Sequence, residues 1–128
     1  MLRDFTYVDH IVESISRLIH LSPTRDNSVT DYEDNPAISY APYRLFNIGN
    51  SSPVNLMDFI EALQKELDIK TDILFREMQP GDVPRTCADT EALMKLIDFR
   101  PGTIIEKGIK EFVSWYKNMY ALMEKENA

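Results

Sequence analysis

The spacing of apolar positions changes repeatedly along this chain, and each change predicts a new element. Leu2 to Tyr7 alternates apolar or aromatic with polar residues, the pattern of a short half-buried strand. From Val8 the period becomes three and four. Val8, Ile11, Val12, Ile15, Leu18 and Ile19 then form one stripe of a helix running to about Leu21. Asp9 and Glu13 in its first half, with Arg17 and His20 in its second, suit the helix dipole. Between Ser22 and Pro42 the periodicity dissolves into Ser, Thr, Asp, Asn and Pro, which predicts a long polar loop at about 22–42. Tyr43 to Ile48 reads as a strand stopped by Gly49 to Pro53. Asn55 is placed to cap a helix whose apolar face is Leu56, Phe59, Ile60, Leu63 and Leu67, with Asp58 in its first turn.

Thr71 to Phe75 predicts a brief strand and Gln79 to Pro84 a rigid, turn-rich loop. Asp89 is placed to cap a short helix through Leu93, Leu96 and Ile97, which breaks at Phe99 to Gly102. Thr103 and Glu106 match a capping box. It opens a long helix through Ile104, Ile105, Ile109, Phe112, Val113, Tyr116 and Met119, ending near Glu124. There is no internal repeat. Short strands and about four helices predict a small mixed α/β fold.

With 128 residues, the chain has the length of one domain. Its 44% hydrophobic and 27% charged side chains supply a core and argue against disorder. Fourteen basic against twenty-one acidic residues give a net charge of -7, which repels a phosphate backbone, so no nucleic-acid partner is expected. Cys87 is the only cysteine, and no charged segment followed by an apolar stretch opens the sequence, which points to a reducing, cytoplasmic setting. No apolar run approaches the ~18 residues of a membrane span, so no membrane partner is expected.

Candidate chemistry is sparse. His10 and His20 lie ten apart on one helix and face different directions, so no metal site is expected. Cys87 has no base nearby in sequence and reads as a buried structural thiol. Asp31, Glu33 and Asp34 read as a solvated run in the polar loop. Four glycines are few for this length. Gly49, Gly81, Gly102 and Gly108 are too scattered for a phosphate-cradling fingerprint. Two places remain. Arg3 is suited to bidentate pairing with a phosphate or carboxylate, and Asp82 to accepting hydrogen bonds from sugar hydroxyls. A surface Arg–Asp pair and a turn aspartate explain the same residues equally well.

Three strings together resemble one family. They are Arg3-Asp4-Phe5-Thr6-Tyr7-Val8-Asp9-His10-Ile11-Val12, then Ala41-Pro42-Tyr43-Arg44-Leu45-Phe46-Asn47-Ile48-Gly49-Asn50-Ser51-Ser52-Pro53-Val54, then Met78-Gln79-Pro80-Gly81-Asp82-Val83-Pro84 with Ala88-Asp89-Thr90. In this order and spacing they are similar to the NAD-dependent nucleotide-sugar epimerases of the extended short-chain dehydrogenase group. The branch they resemble is that of UDP-glucuronate 4-epimerase and the capsular polysaccharide biosynthesis epimerases.

The resemblance implies that residues 1–128 are the C-terminal, substrate-binding domain of a Rossmann-type epimerase, a fragment without the NAD-binding domain. It implies that Arg3 contacts the diphosphate of UDP and Asp82 the uridine ribose. Gln79 stands where a second phosphate-binding arginine is common, and Thr86 falls near another substrate contact. Asn47 and Gly49 read as strand-end geometry. His10, where an aspartate is common, and Cys87, where an aromatic is common, are peripheral departures.

NAD is the cofactor of the full-length family. None is expected for this chain, and no catalytic residue is assigned in it. The family's Tyr-x-x-x-Lys pair is absent, since no tyrosine of the chain is followed four residues later by lysine. The resemblance therefore implies the UDP-sugar-binding portion of an isomerase, inert alone. An interaction or oligomerisation module derived from an epimerase is the second expectation, because loss of the other half bares apolar surface and strand edges. A free-standing α/β enzyme of unrelated chemistry is disfavoured by the lack of a converging nucleophile and base.

Overall fold

The computed structural model describes residues 1–25 and 35–126, with side chains to residue 121. The acidic run Asp31, Glu33 and Asp34, and with it the middle of the predicted polar loop, lies outside the described residues. In chain order the elements are β1 (Leu2–Arg3), α1 (Val8–Leu18), β2 (Val54–Asn55), α2 (Leu56–Leu67), α3 (Glu91–Ile97) and α4 (Ile105–Glu126). Four helices and a two-stranded sheet among the described residues make a small mixed α/β fold, as the apolar spacing predicts. The chain divides into two compact units. One comprises Met1–Phe5, Ser52–Thr86 and Gly102–Ala128, and the other Thr6–Ser51 and Cys87–Pro101.

In the first unit β1 pairs antiparallel with β2, Leu2 opposite Asn55 and Arg3 opposite Val54. The other edge of Leu2 is also occupied. Its amide donates to Pro84 O at 2.9 Å and its carbonyl accepts from the Thr86 amide at 3.1 Å, a parallel bridge centred on Arg85. Asn55 caps α2 as its position predicts, Oδ1 accepting from the Met57 amide at 3.0 Å.

The helix ends where Asp68 turns left-handed (φ 56, ψ 43). The Asp68 amide then reaches Lys65 O and the Ile69 amide reaches Gln64 O, which satisfies two of the last carbonyls. Asp tolerates this conformation better than most side chains. Ile109 and Val113 of α4 are buried, and the helix packs on α2. Phe5 stacks on Phe59 of α2 at 4.3 Å between ring centroids.

In the second unit Leu93 and Ile97 of α3 are buried, and α1 packs against that helix. Arg17 of α1 donates through Nη1 to Ile97 O at 3.2 Å and Asp98 O at 3.1 Å, where α3 ends with Asp98 left-handed. A cation is thus set on the negative end of the helix, and the same guanidinium lies 4.8 Å from the Phe99 ring centroid. The buried hydroxyls of Ser14 and Thr90 are both satisfied. Ser14 Oγ donates to His10 O, and Thr90 Oγ1 is 2.7 Å from Ser51 Oγ.

Several expectations are corrected. The strand expected over Leu2 to Tyr7 shortens to Leu2–Arg3. Tyr43 to Ile48 makes only an isolated bridge, Arg44 with Ile38, and Thr71 to Phe75 forms no strand. Alternating side chains define a face, but a strand also needs a second backbone to take its hydrogen bonds. Among the described residues those two segments find none beyond that bridge. Helix α1 stops at Leu18, short of Leu21.

Thr90 stands at the N-cap of α3. Asp89 Oδ1 instead accepts from the Glu91 amide at 3.1 Å, one residue earlier than predicted. Helix α4 starts at Ile105 rather than Ile104 and runs past Glu124 to Glu126. Cys87, expected to be buried, is an exposed free thiol, because it follows the bridge at Arg85 on a strip exposed from Ile69 through Cys87. No helix among the described residues is long and apolar enough to cross a membrane.

Candidate functional site

All four sequence-predicted site residues fall in the first unit. Arg3 is held by β1. Its Nη1 donates to Val83 O at 2.8 Å and to its neighbour Leu2 O at 3.0 Å. Those carbonyls occupy one corner of the guanidinium, while Nε and Nη2 have no partner among the described residues. The planar fork can therefore still make a two-point contact with an oxyanion.

Gln79 to Asp82 form a tight turn, closed by the Asp82 amide donating to Gln79 O at 3.1 Å. Pro80 supplies a fixed φ at its second position, and Gly81 at its third takes φ +94, which side chains rarely adopt. The turn presents the exposed side chains of Gln79 and Asp82 one residue before the carbonyl that grips Arg3. Among the described residues no ion pair joins Arg3 to Asp82, and Asp82 stands at the end of a tight turn.

Thr86 has a different position. Its Oγ1 accepts from the Asp4 amide at 3.1 Å, immediately after Arg3, while Asp4 Oδ1 accepts from the Ser52 amide at 3.2 Å. Asp4, Ser52 and the Val83 carbonyl join the site although sequence reasoning assigns them nothing. Their roles rest on pairings across 48 to 82 residues, which leave no local signal.

A shallow depression lined by Glu61, Gln64, Lys65, Asp68, Ile69 and Lys70 contains none of the predicted site residues. No group of three or more His, Cys, Asp or Glu among the described residues is placed to hold a metal ion. The Arg3 and Asp82 strip carries one delocalised cation, one carboxylate that can accept from hydroxyls, and one neutral amide.

No protein-family model matches the chain. It is 46% identical over 120 residues to Protein CapI of Staphylococcus aureus, across 94% of this chain and 36% of that protein. It is 41% identical over 121 residues to a probable UDP-glucuronate 4-epimerase of Rhizobium meliloti, again across 94% of this chain and 36% of the relative. Over nearly its whole length the chain is similar to part of a nucleotide-sugar epimerase.

With UDP-glucuronate 4-epimerase 1 of Arabidopsis thaliana the identity is 36% over 126 residues, 98% of this chain and 28% of that one. The chain spans about a third of the length of the curated relatives it matches, and corresponds to a C-terminal part of an epimerase. Its fold is similar to that in a crystal structure of UDP-galactose 4-epimerase, with TM-score 0.57 and 21% identity over 84% of this chain and 30% of that one.

Proposed function

We propose that the chain is the UDP-sugar-binding portion of an NAD-dependent, UDP-glucuronate 4-epimerase-like enzyme, acting in the cytoplasm. The observation that carries this reading is the bond from Arg3 Nη1 to Val83 O, which ties a guanidinium to the segment that follows the Asp82 turn. Arg3 takes the diphosphate by charge-assisted, two-point hydrogen bonding. Asp82 accepts from the ribose hydroxyls. Gln79 donates a neutral hydrogen bond beside them, and Thr86 belongs to the same strip, its hydroxyl accepting from the Asp4 amide.

The chain's own residues do not fit NAD. Helices α1 to α4 begin after Phe5-Thr6-Tyr7, Pro53-Val54-Asn55, Ala88-Asp89-Thr90 and Gly102-Thr103-Ile104, none of which is a glycine-rich turn that lets backbone amides approach a pyrophosphate. No Tyr-x-x-x-Lys pair stands in the sequence either. The chain alone therefore binds and does not turn over. Incubation with NAD and UDP-glucuronate should give no product above a protein-free blank, and measurable epimerisation would overturn the reading.

A second reading is a module that associates with itself or with a longer epimerase. Val8, Val12, Ile15 and Ile19 of the α1 segment favour it, exposed by 59%, 56%, 46% and 70% at helical spacing. Light scattering across a concentration series tests it. A strict monomer at every concentration counts against self-association.

A further inference from the structure

Residues 2–4 are fixed to residues 83–86 at successive points. Leu2 is held through both backbone groups, by Pro84 O at 2.9 Å and the Thr86 amide at 3.1 Å. Arg3 reaches Val83 O with its side chain. The Asp4 amide, on the far side of Arg3, donates to Thr86 Oγ1 at 3.1 Å. Asp4 is fixed a second time through Oδ1 by the Ser52 amide at 3.2 Å. Arg3 is thus bracketed. Its Cα lies between two residues whose main chains are both bonded to Thr86, one to its amide and one to its hydroxyl.

The geometry points to Thr86 as a positioning residue: its Oγ1, by holding the Asp4 amide, fixes the backbone from which Arg3 reaches Val83 O and the ligand. This rests on the reading of Arg3 as the diphosphate contact, and it changes how Thr86 serves that site, through Arg3 rather than by touching the nucleotide. The cause is chain geometry. Leu2 is anchored on its own, but a long, flexible arginine side chain amplifies any rotation of its Cα–Cβ vector. If the peptide after Arg3 is released, the guanidinium loses its register with Val83 O. The Thr86 hydroxyl accepts from the Asp4 amide at 3.1 Å.

Thr86→Val keeps the volume and β-branching while removing the acceptor, and Thr86→Ser keeps the acceptor. The first measurement is the order parameter of the Arg3 Nε–H bond by NMR relaxation in the 128-residue chain. In Thr86→Val it should fall below about 0.6, the range of flexible groups, and in Thr86→Ser it should return to the parent value. An unchanged order parameter in Thr86→Val overturns the proposal whether or not any nucleotide binds.

The second measurement is titration with UDP and with uridine. Thr86→Val should weaken UDP about five- to tenfold, the scale of one hydrogen bond. It should leave uridine unchanged and add nothing to the loss already present in Arg3→Ala. Additive losses, or equal weakening of UDP and uridine, overturn it as well. Failure of the parent chain to bind UDP counts against the reading of Arg3 as a diphosphate contact, and the Arg3 order parameter still decides what Thr86 does.

Discussion

The Arg3 guanidinium and the Val83 carbonyl meet at 2.8 Å across eighty residues of sequence. The bond fixes one end of a planar fork and leaves the charge undiminished, an arrangement compatible with the diphosphate contact proposed above. Lysine has the charge without the fork. Arg3→Lys and Arg3→Ala should therefore lose UDP binding to similar degrees, about tenfold or more, as measured by NMR titration. Full affinity in Arg3→Lys would show that a point charge is enough and that the Val83 bond has no part in recognition.

The turn that carries Asp82 depends on Gly81 at φ +94. A Cβ placed there meets nothing within 4 Å, so the cost of Gly81→Ala is conformational and not steric. About 1 to 2 kcal/mol is expected from forcing an L side chain into the left-handed region. Gly102 has equally open surroundings and no such φ. Gly102→Ala should be neutral or stabilising by up to about 1 kcal/mol, because alanine restricts the unfolded chain. Urea midpoints of the two variants should move in different directions or by clearly different amounts, and equal shifts would remove the φ argument.

What the sequence makes legible follows from the range of each interaction. Helical stripes are local, and all four predicted helices form, with α2 capped by Asn55 as its position requires. The Pro80-Gly81 turn is legible for the same reason, since two adjacent residues determine it. Strands are not local. Tyr43 to Ile48 and Thr71 to Phe75 have the composition of strands but no ladder among the described residues, and Leu74 and Phe75 stand 74% and 77% exposed. The site is divided in the same way. Arg3 and Asp82 can be picked out by residue type, whereas the bonds that relate them, Arg3 to Val83 and Asp4 to Thr86, exist only once distant segments pair.

Apolar residues on the helices differ sharply in what they hold. Leu93 of α3 is 2% exposed, while Phe112 of α4 is 49% exposed and touches Trp115 and Tyr116 on its own helix. Leu93→Ala removes side-chain atoms from a packed site and leaves a cavity, so about 2 to 5 kcal/mol should be lost. Phe112→Ala should stay within about 1 kcal/mol, because its ring leaves little buried area behind. Denaturant unfolding of both variants measures the contrast. A large loss for Phe112→Ala would show that this face of α4 is covered in solution, by a second copy or otherwise.

Tyr116 and Tyr120 sit one turn apart on α4 with ring centroids at 4.4 Å. The Tyr116 hydroxyl, donating to Tyr120, is held above its ordinary value of 10.0, helped by desolvation and by the repulsion a second phenolate would exert. The folded chain therefore keeps this proton more tightly than the unfolded chain does. The associated stabilisation is fully present below pH 10 and is lost as pH rises through the folded value. An ultraviolet titration of phenolate absorbance should show a tyrosine ionising later than the rest. Tyr120→Phe removes both the hydrogen bond and the second ionisable group, and should return Tyr116 toward 10.0. A titration curve that keeps its late component in Tyr120→Phe would place the cause elsewhere on the helix.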